Sequence, residues 1–161
     1  MTDDQCPLCR GSAIDADIGR EMVWEDDLWR LTTSIGPGDP TPGFSYLEPR
    51  RHIRDITELD GPEAGTFGSV LARACAALKQ ATGSNYVYIY VFGDSFPHLH
   101  LHLAPHTSGD ALVEVPIRGE FEERMLVTGH TAVVSKEFPA IPQATLRSVA
   151  ERAREFLKRR S

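Results

Sequence analysis

Apolar and polar positions along the 161-residue chain fall into two rhythms, alternation for half-buried strands and three-and-four spacing for helices. Glu21-Met22-Val23-Trp24-Glu25-Asp26-Asp27-Leu28-Trp29-Arg30-Leu31-Thr32-Thr33-Ser34 reads as two strands around an Asp26-Asp27 turn. The stretch from Gly36 to Gly43 is too rich in proline and glycine for either regular structure. Phe44-Ser45-Tyr46-Leu47-Glu48 then alternates as a strand and leads into Pro49 and His52. Pro62 suits a first helical turn, and Phe67, Val70, Leu71, Ala74, Cys75 and Leu78 mark the buried stripe of a helix ending near Gly83. Cys75 on that stripe reads as a small core hydrophobe. Tyr86 to Phe92, aromatic and β-branched, predicts a central strand. Beyond residue 110, Leu112-Val113-Glu114-Val115 and Ala132-Val133-Val134 read as short strands, and Gly119 to Arg124 as a turn or helical piece. Leu146, Val149, Ala150, Ala153, Phe156 and Leu157 predict a helix over about 142–159, with a basic end that complements its dipole. The expectation is one α+β domain over 1–161: an antiparallel sheet of about five strands, a main helix from Pro62 to Ala81 on one face, and an additional C-terminal helix.

Composition narrows the functional class. A chain 41% hydrophobic and 25% charged is ordinary for a globular protein. No apolar run approaches the ~20 residues of a membrane span, and the acidic start Met1-Thr2-Asp3-Asp4 is unlike a secretory signal, so a cytoplasmic protein with no membrane partner is expected. A net charge of −6 argues against broad nucleic-acid binding and leaves room for a local pocket taking one small anion. Three cysteines do not make a disulfide framework. Cys6 and Cys9 have the spacing of half a tetrahedral zinc site; a redox pair and two idle thiols are the alternatives.

The chemistry concentrates in Phe96-Pro97-His98-Leu99-His100-Leu101-His102-Leu103-Ala104, which holds three of the six histidines. Extended backbone puts His98, His100 and His102 in one row and Leu99, Leu101 and Leu103 on the core side. Neighbours in such a row lie roughly 6–7 Å apart along the backbone, close enough to act on one phosphate. His106 reads as a surface residue, and His130 carries no motif.

Gly93-Asp94-Ser95-Phe96-Pro97-His98-Leu99-His100-Leu101-His102-Leu103-Ala104-Pro105 resembles the signature of the histidine triad superfamily of nucleotide hydrolases and transferases. Cys6-Pro7-Leu8-Cys9, Val23-Trp24-Glu25-Asp26-Asp27 and Glu48-Pro49-Arg50-Arg51-His52 to Leu59 agree in order, so the resemblance covers about residues 6–110 and leaves 111–161 as a C-terminal extension. It implies a HIT-like fold and a structural zinc held by Cys6, Cys9, His52 and His98. It further implies that His100 is the nucleophile toward an α-phosphorus. His102 would contact the phosphate and assist the leaving group as hydrogen-bond donor or acid, and Ser95 would donate to the same phosphate. Asn85 matches the first asparagine of the pattern and Asp94 stands where many relatives carry glutamine, which puts substrate preference in question. Trp24, Leu28 and Leu31 either line a base pocket or, as the commoner role, pack the core. A histidine at position 102 favours the hydrolase branches over the hexose-phosphate uridylyltransferase branch. The implied partner is a small nucleotide, and relatives commonly pair as homodimers. The implied reaction is hydrolysis of dinucleoside polyphosphates, nucleoside phosphoramidates or related adenylylated compounds. The competing readings are nucleotidyl transfer to another acceptor and a non-catalytic, zinc-stapled nucleotide-binding module.

Overall fold

The computed structural model describes residues 6–36, 41–92, 96–108, 121–125, 129, 131–135 and 141–159. In chain order these form a short helix α1 (Ser12–Asp15), strands β1 (Arg20–Glu25), β2 (Trp29–Ser34) and β3 (Ser45–Pro49), helix α2 (Gly61–Thr82), strands β4 (Tyr86–Val91), β5 (Leu101–His106), β6 (Phe121–Met125) and β7 (Thr131–Ser135), and helix α3 (Gln143–Lys158). Five strands make one antiparallel sheet in the order β1-β2-β3-β5-β4, and β6 and β7 pair separately. The α+β class and the sheet of five are as the sequence predicts. The Asp94 and Ser95 positions, Leu112 to Val115 and His130 lie outside the described residues.

Local chemistry explains the joints. The Asp26 carboxylate accepts from the backbone N–H groups of Leu28 at 2.8 Å and Trp29 at 2.7 Å, closing the β1–β2 turn. Helix α2 stops where Gly83 takes a left-handed φ of 74° and its N–H returns to the Lys79 carbonyl. A bulge between Met22 and Trp24 shifts β1 by one residue. Val23 and Trp24 thereby turn toward the core while Arg20 and Met22 stay on the opposite face.

Helices α2 and α3 cover one face of the sheet. Trp29, Leu31, Leu47, Leu99, Leu101 and Leu103 bury there against Ala74, Ala77 and Leu78 of α2 and Val149, Ala150, Ala153 and Leu157 of α3. Trp24 and Leu28 pack against this core and Leu31 belongs to it, so all three take the core role. Helix α3 is also bonded in place: Arg152 Nε donates to the Ala81 carbonyl at 2.6 Å, Arg154 Nε to the Met22 carbonyl at 2.7 Å, and Arg154 pairs with Glu21. Gly43 sits where the chain slips between these helices, with φ 78° and no room for a side chain: a Cβ would stand 2.8 Å from Thr82 Cγ2 and 3.1 Å from Val149 Cγ1.

Three expectations change. Strand β4 is an edge strand, not a central one; Tyr86, Ile89 and Val91 are exposed. Aromatic and β-branched content favours strand geometry without fixing a place in the sheet. Residues 121–125 pair as strand β6 instead of forming a turn or helical piece, since cross-strand pairing with β7 overrides weak local preference. His106, read as a surface residue, is half-buried at the end of β5. Among the described residues no helix is long and apolar enough to cross a membrane.

Candidate metal centre and active site

Cys6 and Cys9 are brought together by a tight turn in which the Arg10 N–H donates to the Pro7 carbonyl. The histidine run is fastened beside them: the Leu99 N–H donates to the Ile53 carbonyl at 2.6 Å, which sets His98 next to His52. The donor atoms of Cys6, Cys9, His52 and His98 all lie within 4.8 Å of one another. Cys6 Sγ is 3.5 Å and Cys9 Sγ 3.4 Å from His98 Nδ1, and Cys9 Sγ is 3.2 Å from His52 Nδ1. A tetrahedral zinc with bonds near 2.3 Å to sulfur and 2.05 Å to nitrogen has sulfur–nitrogen edges of about 3.6 Å, so these residues fit that ion. His98 Nε2 donates to the Pro49 carbonyl at 2.8 Å, leaving Nδ1 free for a metal, as ligating imidazoles require. Burial resists ionisation of Cys6, but its bonds to His98 and Cys9 outweigh that and hold the thiol below its ordinary value. Burial likewise opposes a charge on His98, yet Cys6 and the Pro49 carbonyl raise it overall.

The chain then reaches His100 and His102, the candidate catalytic residues. The row expected of a continuous strand begins only at Leu101; His98 and His100 precede it. The Leu99, Leu101 and Leu103 side chains do face the core. His100 Nδ1 bonds to the His98 carbonyl at 2.6 Å. A carbonyl can only accept, so Nδ1 carries the proton and the lone pair of the neutral ring sits on Nε2. The His100 and His102 rings lie 5.0 Å apart. Burial, opposed by the His98 carbonyl and reinforced by the charge of Arg20, keeps the His100 pKa below its ordinary value. His102 is surrounded by the rings of Phe44, Tyr46 and Phe92 at 5.7, 5.2 and 5.4 Å. Burial first, then the charges of His100 and Arg20, push its pKa down to about 3, so it is neutral at physiological pH.

A family model described as the HIT domain matches residues 16–109, more than half of the chain. The chain belongs to the HIT family. No curated protein matches it. Among solved structures, a histidine triad protein from Bradyrhizobium japonicum is 19% identical with a TM-score of 0.67, covering 91% of this chain and 95% of that one. A zinc-bound histidine triad family protein from Mycobacterium smegmatis is 17% identical with a TM-score of 0.64 over 99% and 100% of the two chains. A hypothetical histidine triad nucleotide-binding protein from Sulfolobus tokodaii is 18% identical with a TM-score of 0.64 over 96% and 93%. At these identities the likeness is one of fold.

On the sheet face of this HIT domain that carries His102, the sequence hides a charged group that alternation alone does not announce. The register aligns Thr32, Tyr46, His102 and Tyr90 across β2, β3, β5 and β4. Beside that row Arg30 bonds to Asp15 at 2.5 Å and to Glu48 at 2.9 Å, and Arg20 bonds to Glu48 at 3.2 Å. Arg20 also lies over the Tyr46 ring, its Cζ 3.5 Å from the centroid. All four charged residues are buried. The available signal was an arginine and a glutamate at alternating positions of strands otherwise read as half-buried.

The remaining expected residue, Asn85, is not brought to the histidines. It precedes β4, is exposed, and its N–H donates to the His106 carbonyl. The β4–β5 register sets Tyr86 against His106 and Val91 against Leu101, so Asn85 stands opposite residue 107, some seven residues or about 23 Å along the strand direction from His100. His106 is half-buried and stacks on Tyr88 at 4.7 Å.

Proposed function

We propose that this protein is a nucleotide-phosphate hydrolase that cleaves at the α-phosphorus through a covalent nucleotidyl-histidine on His100. The proposed substrates are dinucleoside polyphosphates, nucleoside phosphoramidates or related adenylylated compounds. The observation that carries the reading is the 2.6 Å bond from His100 Nδ1 to the His98 carbonyl, which fixes the nucleophilic tautomer without a separate base. In the first step the Nε2 lone pair forms a P–N bond as the bond from phosphorus to the leaving group breaks, the electron pair departing with that group. In the second, water attacks the phosphorus, its proton passes to solvent, and the P–N bond returns its pair to Nε2. His102, neutral in its aromatic surroundings, serves as a hydrogen-bond donor to the phosphate and not as an acid. Ser95 is assigned a second donor role by its position in the sequence, and Asn85 has no role in this proposal.

Cys6, Cys9, His52 and His98 would hold a zinc ion with no open position. The metal, when bound, supplies a crosslink between the amino terminus and the histidine run. The zinc-bound Mycobacterium smegmatis protein and the Sulfolobus tokodaii protein described as nucleotide-binding support the metal and the ligand class. A homodimer through the exposed edge strand β4 and a cytoplasmic location, compatible with Cys6, Cys9 and Cys75 forming no disulfide, complete the reading.

The test is nucleoside monophosphate release from diadenosine tetraphosphate, adenosine phosphoramidate, adenosine phosphosulfate and a nucleotide sugar, with the parent protein beside His100→Asn. Release by the parent and its loss in the variant are expected. No release from any compound by metal-loaded protein overturns the reading, and nucleoside diphosphate formed only with added phosphate would reassign the acceptor.

A further inference from the structure

An enzyme acting on phosphates needs positive charge near the oxyanion, and His102 does not supply it. His102 is neutral, and the chain as a whole is acidic. Most described arginines are committed elsewhere. Arg147 and Arg154 bind Glu21, Arg51 binds Asp60 and Glu63, and Arg73 lies over Trp24. Arg30 is sealed between Asp15 and Glu48.

Arg20 differs. It stands on β1 but reaches across β2 to lie over Tyr46, whose ring is 5.2 Å from that of His102. Its charge is one of the influences acting on His102. Arg30 bonds to both Asp15 and Glu48, whereas, among the described residues, Arg20 bonds to Glu48 alone. Only Nη1 is engaged, by Glu48; among the described residues no group takes the other donors of a guanidinium that has five. A guanidinium held over a ring and steered by a carboxylate has little freedom still to be surrendered on binding an oxyanion.

We propose that Arg20 is the cation that holds a phosphate oxyanion of the substrate beside His102, on a platform made by Tyr46. The assignment rests on the nucleotide reading above and adds to it a specificity residue lying four strands away from β4 and outside the histidine run. Arg20 binds the ligand's phosphate and leaves the nucleoside to other contacts.

The experiment is calorimetric binding of adenosine 5′-monophosphate and of adenosine to the parent, Arg20→Gln and Arg20→Lys. Adenosine lacks only the phosphate, so its affinity controls for damage to the rest of the site. The parent should prefer the monophosphate at least tenfold; Arg20→Gln should abolish most of that preference while adenosine binding stays within twofold. Glu48 keeps Arg30 in Arg20→Gln, so the fold is expected to hold; thermal melting and metal content check it. Should that variant not fold, Arg20→Lys serves, because an ammonium cannot lie on Tyr46 and bridge Glu48 to an anion in the same way, and a loss of at least threefold in the preference is expected. Equal affinity of the parent for the two ligands, or a preference that survives in the folded variant, overturns the assignment. A parent that releases no nucleoside monophosphate from any substrate, yet shows an Arg20-dependent preference, would sink the hydrolase reading and leave Arg20 as the phosphate-binding residue.

Discussion

Glu48→Gln is the substitution that most sharply tests the charged group under the sheet. Glu48 is 0% exposed and holds two guanidiniums, Arg30 at 2.9 Å and Arg20 at 3.2 Å. Glutamine keeps the shape and one acceptor oxygen but removes the charge, leaving Asp15 as the one carboxylate bonded to this pair of arginines among the described residues. At an effective dielectric near 20, each lost pair is worth about 4 kcal/mol at 4 Å separation. Against that stands the desolvation of the carboxylate itself, several kcal/mol, which the variant no longer incurs. The difference falls in the range of about 3–5 kcal/mol measured when one partner is removed from a buried pair. For a chain of this size 1 kcal/mol shifts the melting temperature by about 2–4 °C, so Glu48→Gln should melt roughly 6–20 °C below the parent. Circular dichroism melts and urea titrations of parent and variant read it directly. Lys158→Ala is the comparison, since its pair with Glu155 is exposed on both sides and should matter by less than about 1 kcal/mol. A Glu48→Gln midpoint within about 2 °C of the parent, which corresponds to no more than about 1 kcal/mol, would refute the idea that this network is held by its charges.

Three further outcomes are expected. Cys6→Ser should lower bound zinc from about one ion per chain to a small fraction and lower the melting temperature; plasma emission spectroscopy showing full metal content would refute the four-residue site. Gly43→Ala combines a left-handed φ with a 2.8 Å approach to Thr82 and should cost about 1–3 kcal/mol in urea unfolding; an unchanged midpoint counts against the packing described. His102 is depressed to about 3 in the fold against about 6.5 unfolded. Its neutral form therefore contributes stability that is complete above pH 6.5 and lost as pH falls from there toward 3. Its ring resonances should not titrate between pH 5 and 8, and His102→Gln should flatten the acid loss; a midpoint near 6.5 in the folded protein contradicts the burial argument.

The elements that the sequence makes legible are those in which local pattern and tertiary role coincide. Pro62, the apolar stripe and Gly83 bound α2 because capping and burial both act within that segment. Cys6 and Cys9 are legible from their spacing and His52 and His98 from the family resemblance that joins them to that pair, and the structure gathers all four. Strand β4 shows the limit: nothing in Tyr86 to Val91 says whether a neighbour lies on one side or two. Arg20, Arg30 and Glu48 show another. Each sits on a different strand, and their meeting with Asp15 depends on register and on the bulge at Met22, which are settled by the sheet as a whole. Asn85 shows a third: its distance from His100 follows from the β4–β5 register, which order in the chain does not give.

The family match runs from residue 16 to residue 109, but the interactions that hold the molecule together respect neither limit. Cys6 and Cys9 lie before it. Val149, Ala150, Ala153 and Leu157 lie after it and are as fully enclosed as the sheet leucines they touch, and Arg152 reaches back to the last turn of α2. A gene trimmed to the match would encode a chain with an open flank over β1 and α2 and half a ligand set. Recognition by descent and cooperative folding thus divide this polypeptide differently, and any fragment intended for spectroscopy, fusion or display has to be cut by the second division.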